Sequence, residues 1–247
     1  MTPPALRLAA RAGHVDVWAT ALDRPPAACE RLRAWLTADE TARAARFHFE
    51  RDARRYVVAR GVLRDLLGAY LGLAPGAIRF VYGPRDKPAL APPLDAGGVQ
   101  FNVSHSGAVA LYAVGVHRRM GVDVEQVRVL DDLDALAERN FSRAERAALR
   151  ALPPEQRPAA FFACWTRKEA YVKALGDGLS HPLDAFTVSF AVRSPARVVE
   201  IEGDSVAAAR WTLGAIGVGP GYEAAVAVDG PVTIAMRGFW EPASDVS

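Results

Sequence analysis

Apolar positions recur along the chain at two periods, helical and strand-like, and the two periods follow each other twice. A short strand-like VDVWAT comes first. The stretch from Pro26 to Tyr70 then carries Trp35, Phe47, Val57, Val58, Leu63, Leu66 and Leu67 among arginines at helical spacing. Thr37 followed by Glu40 has the form of a capping box, which opens a helix by giving two backbone N–H groups side-chain acceptors. From Gly72 to Asp95 the chain is broken by Pro75, Pro84, Pro88, Pro92 and Pro93, so only Ile78 to Tyr82 within it reads as a short strand.

Val99 to Val103, a Ser-His-Ser-Gly turn and Ala108 to Val116 have the composition of two strands joined by a tight connection, and GVDVE makes a third strand directly after. Leu130 to Leu152 and Pro158 to Leu175 are helical again, and the tail returns to strands around Phe186 to Val192 and Tyr222 to Val228. The order predicts an α+β protein. GAVALYAVG and GYEAAVAVDG are loosely alike. Either the unit is duplicated, with a boundary near His117 to Gly121, or two apolar strands share a composition by coincidence.

Composition narrows the class. A chain of 247 residues holds one large domain or two small ones. Thirty basic against twenty-eight acidic side chains leave a formal charge of +2, too little to signal a nucleic-acid binder. Cys29 and Cys164 lie far apart without CxxC spacing, which removes a disulfide framework and a thiolate zinc site and suits a reducing compartment. The N-terminus lacks a signal-peptide core and no apolar run approaches the ~20 residues of a membrane span, so a soluble, cytoplasmic protein is expected. GxxxxGK[ST], HExxH and GxSxG are absent, and GAIGVGPG lacks dinucleotide-binding spacing.

Three segments strain the local rules. In GVDVE, strand alternation puts Val122 and Val124 on one face and Asp123 and Glu125 on the other, about 7 Å apart. Such a face is either solvated or a site for a hard cation. In FFACWTRKEAYVKALGDGL, Phe161, Trp165, Val172 and Leu175 form an apolar helical stripe with Lys168 inside it, Glu169 at its edge and Lys173 one turn further. An intrahelical Glu169–Lys173 pair is the plain alternative. In FNVSHSG, a strand runs into hydroxyls, an imidazole and backbone amides, which suits phosphate oxygens or makes an ordinary polar turn.

Together and in this order, YGPRDKP, FNVSHS, GVDVE and WTRKEAYVKALGDGL resemble the Sfp-type 4'-phosphopantetheinyl transferases, from roughly Thr37 to Val228. The resemblance implies two similar α/β halves with the active site in the cleft between them: residues 1–118, which bind coenzyme A, and 119–240, which carry the metal carboxylates, followed by a flexible tail, 241–247. It implies Mg2+ on Asp123, Glu125 and Glu169. It also implies coenzyme A bound by Arg43, Arg46, Arg55, Lys87, Ser104, His105, Lys168 and Lys173. One family lysine is replaced here by Glu40, which would repel the 3'-phosphate, while Arg43 could grip it.

The activity so implied is that of a holo-[acyl-carrier-protein] synthase. The phosphopantetheine of coenzyme A passes to a serine of an apo acyl or peptidyl carrier protein, for fatty-acid, polyketide or nonribosomal-peptide synthesis, and 3',5'-ADP leaves. Glu169, Lys173 and His105 would be catalytic, with Glu169 accepting the serine proton. Arginines around Arg139 to Arg150 or on the first helix would meet an acidic carrier. Family analogy implies a monomer, with no nucleic-acid or membrane partner. The rival classes are another Mg2+-dependent phosphoryl or nucleotidyl transferase and a non-catalytic binding module. The latter would be expected to lose a metal carboxylate or Lys173, and both are present.

Overall fold

A computed structural model describes residues 8–83, 87–176, 181–191 and 194–242. Pro84 to Asp86 of YGPRDKP, Asp177 to Leu179, the predicted strand end at Val192 and residues 243–247 of the predicted tail lie outside them. The helical stretch near the N-terminus is three helices, α1 (Pro26–Arg33), α2 (Ala38–Ala44) and α3 (Glu50–Leu71). Thr37 opens α2 with the expected capping box, its N–H donating to Glu40 Oε2 at 3.0 Å. Helix α3 stops at Gly72, whose φ of 68° is the left-handed conformation that glycine adopts without strain. After it, β2 (Phe80–Tyr82) pairs with β3 (Pro88–Leu90), so the proline-rich segment is a hairpin where only one strand was expected.

Strands β1 (His14–Ala21), β4 (Val99–Ser106) and β5 (Val109–Val116) form the first sheet, one face of which is covered by α3 through Val57, Val58, Leu63, Leu66 and Leu67. The Ser-His-Ser segment belongs to β4, and the turn is only Gly107 and Ala108. Strand β6 (Met120–Gln126) begins the second half. It continues through α4 (Leu133–Asn140), α5 (Arg143–Arg150), α6 (Arg157–Leu175), β7 (Phe186–Val188), β8 (Val198–Ile201), α7 (Ser205–Ala209), β9 (Trp211–Ala215) and β10 (Tyr222–Asp229). Here α6 covers a sheet ordered β6-β10-β9.

The uncovered faces of the two sheets pack on each other. Val15, Val17, Leu111 and Ala113 meet Val122, Val124, Val226 and Val228 in one buried cluster, giving the layer order helix, sheet, sheet, helix. GAVALYAVG and GYEAAVAVDG become β5 and β10, each an inner strand of its sheet. The protein is thus built of two similar halves.

The predicted boundaries need one correction. Strand β11 (Thr233–Phe239) leaves the second half and pairs in parallel with β1, at the edge of the first sheet. Trp240 is buried in the first half's core and donates to Asp65 Oδ2 at 2.8 Å, and Glu241 pairs with Arg24. The second half therefore ends before residue 233, because the open edge of β1 takes the next strand. Among the described residues no helix is long and apolar enough to cross a membrane.

Lys168 is corrected as well. It is 0 % exposed, pairs with Glu145 at 2.8 Å, and donates to the carbonyls of Leu183 at 2.7 Å and Phe186 at 2.6 Å. Nothing of it is left to meet coenzyme A. Glu145 in turn accepts from the N–H groups of Ser142 and Val188, both at 2.7 Å, so the pair ties α5, α6 and β7 together. Removing one partner leaves the other charge buried alone, and Lys168→Met is expected to destabilise the fold by about 3–5 kcal/mol. In chemical denaturation the double change Lys168→Met/Glu145→Gln should cost clearly less than the sum of the two single changes.

Candidate active site

The site starts from a glycine. A Cβ on Gly121 would lie 2.1 Å from the carbonyl oxygen of Ala170 and 2.5 Å from the amide nitrogen of Ala174, so only glycine lets β6 lie this close to α6. From there alternation sends Val122 and Val124 into the contact between the sheets. Asp123 and Glu125 fall on the α6 side, with Glu169 and Lys173. Lys173 does not pair within its helix. Its Nζ donates to Asp123 Oδ1 at 2.6 Å and to Ser104 Oγ at 3.1 Å, while Ser104 Oγ itself donates to Asp123 Oδ1 at 2.8 Å. Lys87, from the first half, donates to the carbonyl of Lys173 at 2.8 Å. Ser104, Asp123, Lys173 and Lys87 thus meet at the seam between the halves.

The carboxylates there are strained electrostatically. Burial, then Asp123 and Glu125, push the Glu169 carboxyl above the usual range, against the pull of Lys173. Burial and Asp123 do the same to Glu125, opposed by its hydrogen bond from Ser106. Two buried oxygens, Asp123 Oδ2 and Glu169 Oε1, have no hydrogen-bond partner, a costly condition for an acceptor-only group unless something else occupies it. Among the described residues no three acidic, histidine or cysteine side chains converge as a ready-made ligand set. Asp123, Glu125 and Glu169 feel one another's charge without forming a closed set, and Mg2+ there would complete its shell with water and substrate phosphate. Hard oxygen donors with two orphaned atoms fit such an ion.

His105 points the other way from Ser104, because the two are neighbours on a strand. It opens onto a cavity of about 240 Å³, lined with it by Leu22, Phe47, Asp52, Arg55, Tyr56 and Gly107. Crowding by protein and then Lys173 lower its pKa, which keeps the ring neutral near pH 7. Arg55 lines this cavity while bound to Asp23 at 2.7 and 2.8 Å, and the Arg43 guanidinium lies 5.9 Å from the Tyr56 ring centre. Arg46 is exposed and does not line it.

Glu40 does not face a ligand as a free charge. It is 1 % exposed, held by Arg64 at 2.8 Å and by Arg60 at 3.4 Å. Two donors beside it are buried without partners, Tyr56 Oη and Arg60 Nη1, and the Arg60 guanidinium is packed among the rings of Tyr56, Phe80 and Tyr82. Tyr56 and Arg60 were not among the residues expected from sequence. The available signal was Arg60 and Arg64, one turn apart amid the apolar residues of α3.

Comparison with known proteins places both halves in one family. The family model "4'-phosphopantetheinyl transferase superfamily" matches residues 119–227, and "4'-phosphopantetheinyl transferase, N-terminal" matches 25–117. The chain is 42% identical over 196 residues to the 4'-phosphopantetheinyl transferase HetI of Nostoc sp., covering 79% of this chain and 81% of that protein. It is 33% identical over 176 residues to a 4'-phosphopantetheinyl transferase of Bacillus subtilis, covering 70% and 76%. To the transferase Sfp of Bacillus subtilis strain 168 it is 30% identical over 159 residues, covering 64% and 68%. With its two halves matched in order by the two family models, the chain belongs to the 4'-phosphopantetheinyl transferase superfamily.

Proposed function

We propose that the seam between the halves holds the pyrophosphate of coenzyme A at Lys87, Ser104 and Lys173, with Mg2+ on Asp123, Glu125 and Glu169. The reaction of the family moves phosphopantetheine from coenzyme A to an apo carrier protein. The observation that carries the assignment is the pair of orphaned buried oxygens, Asp123 Oδ2 and Glu169 Oε1, beside two lysines from different halves. Bound Mg2+ would neutralise the carboxylates and the pyrophosphate oxygens together.

The chain's own residues then divide the work. The carrier serine hydroxyl attacks the phosphorus bonded to pantetheine, the bond from that phosphorus to the bridging oxygen breaks, and 3',5'-ADP leaves with that oxygen. Lys173, held by Asp123 and Ser104, stands where negative charge collects on the leaving pyrophosphate oxygen. Glu169, its carboxyl raised by burial, is the proposed acceptor of the serine proton. The remaining phosphate of coenzyme A, a monoester, is assigned to Tyr56 Oη and Arg60 Nη1, with Arg43 beside the Tyr56 ring and His105 on the cavity that Tyr56 lines. Because Glu40 is already neutralised by Arg60 and Arg64, it orients Arg60 and does not repel the ligand. On the carrier side, Arg139, Arg143 and Arg150 are exposed, and Arg146 and Arg150 are both paired with Glu138.

Intact-mass measurement of an apo carrier protein incubated with the protein, coenzyme A and Mg2+ should show the gain of one phosphopantetheine group, abolished by EDTA. Glu169→Gln should slow that gain at least about a hundredfold, and near-normal turnover would remove Glu169 as the base. Arg60→Ala should raise KM for coenzyme A about tenfold, the size of one lost charge-assisted hydrogen bond. It should leave KM for 3'-dephospho-coenzyme A unchanged, whereas an equal loss on both substrates would overturn the monoester assignment.

The raised carboxyls set a pH dependence. Their contribution to stability is present below the ordinary carboxylate pKa and is lost as pH rises through the raised values of Glu169 and Glu125. A cation that binds the ionised forms compensates that loss. The rise in melting temperature on adding Mg2+ should therefore be larger at pH 8 than at pH 5, and a pH-independent rise would count against binding at these carboxylates.

A further inference from the structure

We infer that Ser106, with Asn102 on the same face of β4, positions the metal-binding carboxylates of the other half, so that the first half sets the affinity of the second for its divalent cation. This rests on the Mg2+ reading above.

Strands β4 and β6 are edges of two different sheets and share no backbone ladder, yet they lie side by side. What joins them is a row of side chains at period two. Asn102 Oδ1 accepts the Val122 N–H at 2.8 Å, Ser104 donates to Asp123, and Ser106 donates to Glu125 Oε2 at 2.7 Å. Ser106 Oγ also accepts the Gln126 N–H at 3.1 Å, so its hydroxyl is engaged both as donor and as acceptor and has one orientation. The contacts at 122, 123, 125 and 126 bracket both carboxylates of the strand.

The following turn cannot relax this arrangement. Gly107 has φ +56°, and a Cβ there would meet Gln126 Oε1 at 2.5 Å and Tyr222 Oη at 2.8 Å, while the Ala108 N–H donates to Tyr222 Oη at 3.1 Å. Ser106 is therefore held by β6 and the turn that follows it by Tyr222 of β10. The hydrogen bond it makes falls on Oε2 of Glu125, which leaves Oε1 for a cation. Arg128 Nη1 already stands 3.9 Å from Oε2 and is the competitor that would draw Glu125 away once the serine is gone. Partners that orient ligating carboxylates commonly govern metal affinity by about 10–100-fold.

The test is Mn2+ binding to the complex of protein and coenzyme A, without carrier, followed through the electron-spin resonance of free Mn2+. Ser106→Ala should weaken Mn2+ about tenfold and leave coenzyme A affinity in EDTA unchanged, and Ser106→Thr, which keeps the hydroxyl, should bind Mn2+ like the unaltered protein. Mn2+ binding by Ser106→Ala within twofold of the unaltered protein would overturn the inference. So would equal weakening in Ser106→Thr, or a parallel loss of coenzyme A affinity in EDTA. If the unaltered protein takes up no Mn2+, the inference and the metal site fall together; if only the variant fails to differ, the metal site stands and Ser106 alone is set aside.

Discussion

The backbone contact at Gly121 is the constraint on which the rest of the site depends. A strand and a helix normally stand apart by the thickness of their side chains, but here one residue of β6 has none, and the strand rests on the α6 backbone at Ala170 and Ala174. The next two residues that face α6 are Asp123 and Glu125. On the helix, Glu169 directly precedes Ala170 and Lys173 directly precedes Ala174. Close packing and an acidic cluster are thus consequences of the same glycine, and the cost of gathering like charges is met in part by Lys173 crossing to Asp123.

Unsatisfied polar atoms show where the protein departs from the rule that buried groups find partners. Most of those among the described residues fall in two places: Asp123 Oδ2 and Glu169 Oε1 at the carboxylates, and Glu40 Oε1, Tyr56 Oη and Arg60 Nη1 around α2 and α3. One group is acidic. The other is dominated by arginine and tyrosine donors. A substrate with a pyrophosphate and a separate phosphate monoester has the charge to answer both, and His105, on the opposite face of β4 from Ser104, opens toward the second.

Buried ion pairs show why a charge carried over from a family motif need not reach a ligand. Lys168 and Glu40 stand beside functional positions in the sequence, but each points into the protein. Lys168 joins Glu145 and two backbone carbonyls, and Glu40 joins Arg60 and Arg64 while capping its own helix. Burying a charge is tolerable only when it is paired in this way, and a charge so paired is turned away from a ligand. Neighbours on a helix differ by 100° in direction, so Glu169 faces the site and Lys168 does not.

Local sequence was enough to determine whatever depends on near neighbours. Alternation in GVDVE set Asp123 and Glu125 on one face, the Thr37–Glu40 spacing opened α2, and the apolar period of α3 and α6 gave the two covering helices. The order of FNVSHS, GVDVE and the W-x-x-K-E helix was enough to indicate the family. Tertiary structure decided what depends on partners distant in the chain. The return of β11 to the first sheet, the pairing of Lys173 with Asp123 instead of Glu169, and the burial of Glu40 all turn on which surface is left open when the halves close. The same holds for the row of Asn102, Ser104 and Ser106 along β6: period two told which residues share a face, but a strand's own sequence carries no record of the strand from another sheet that comes to lie against it.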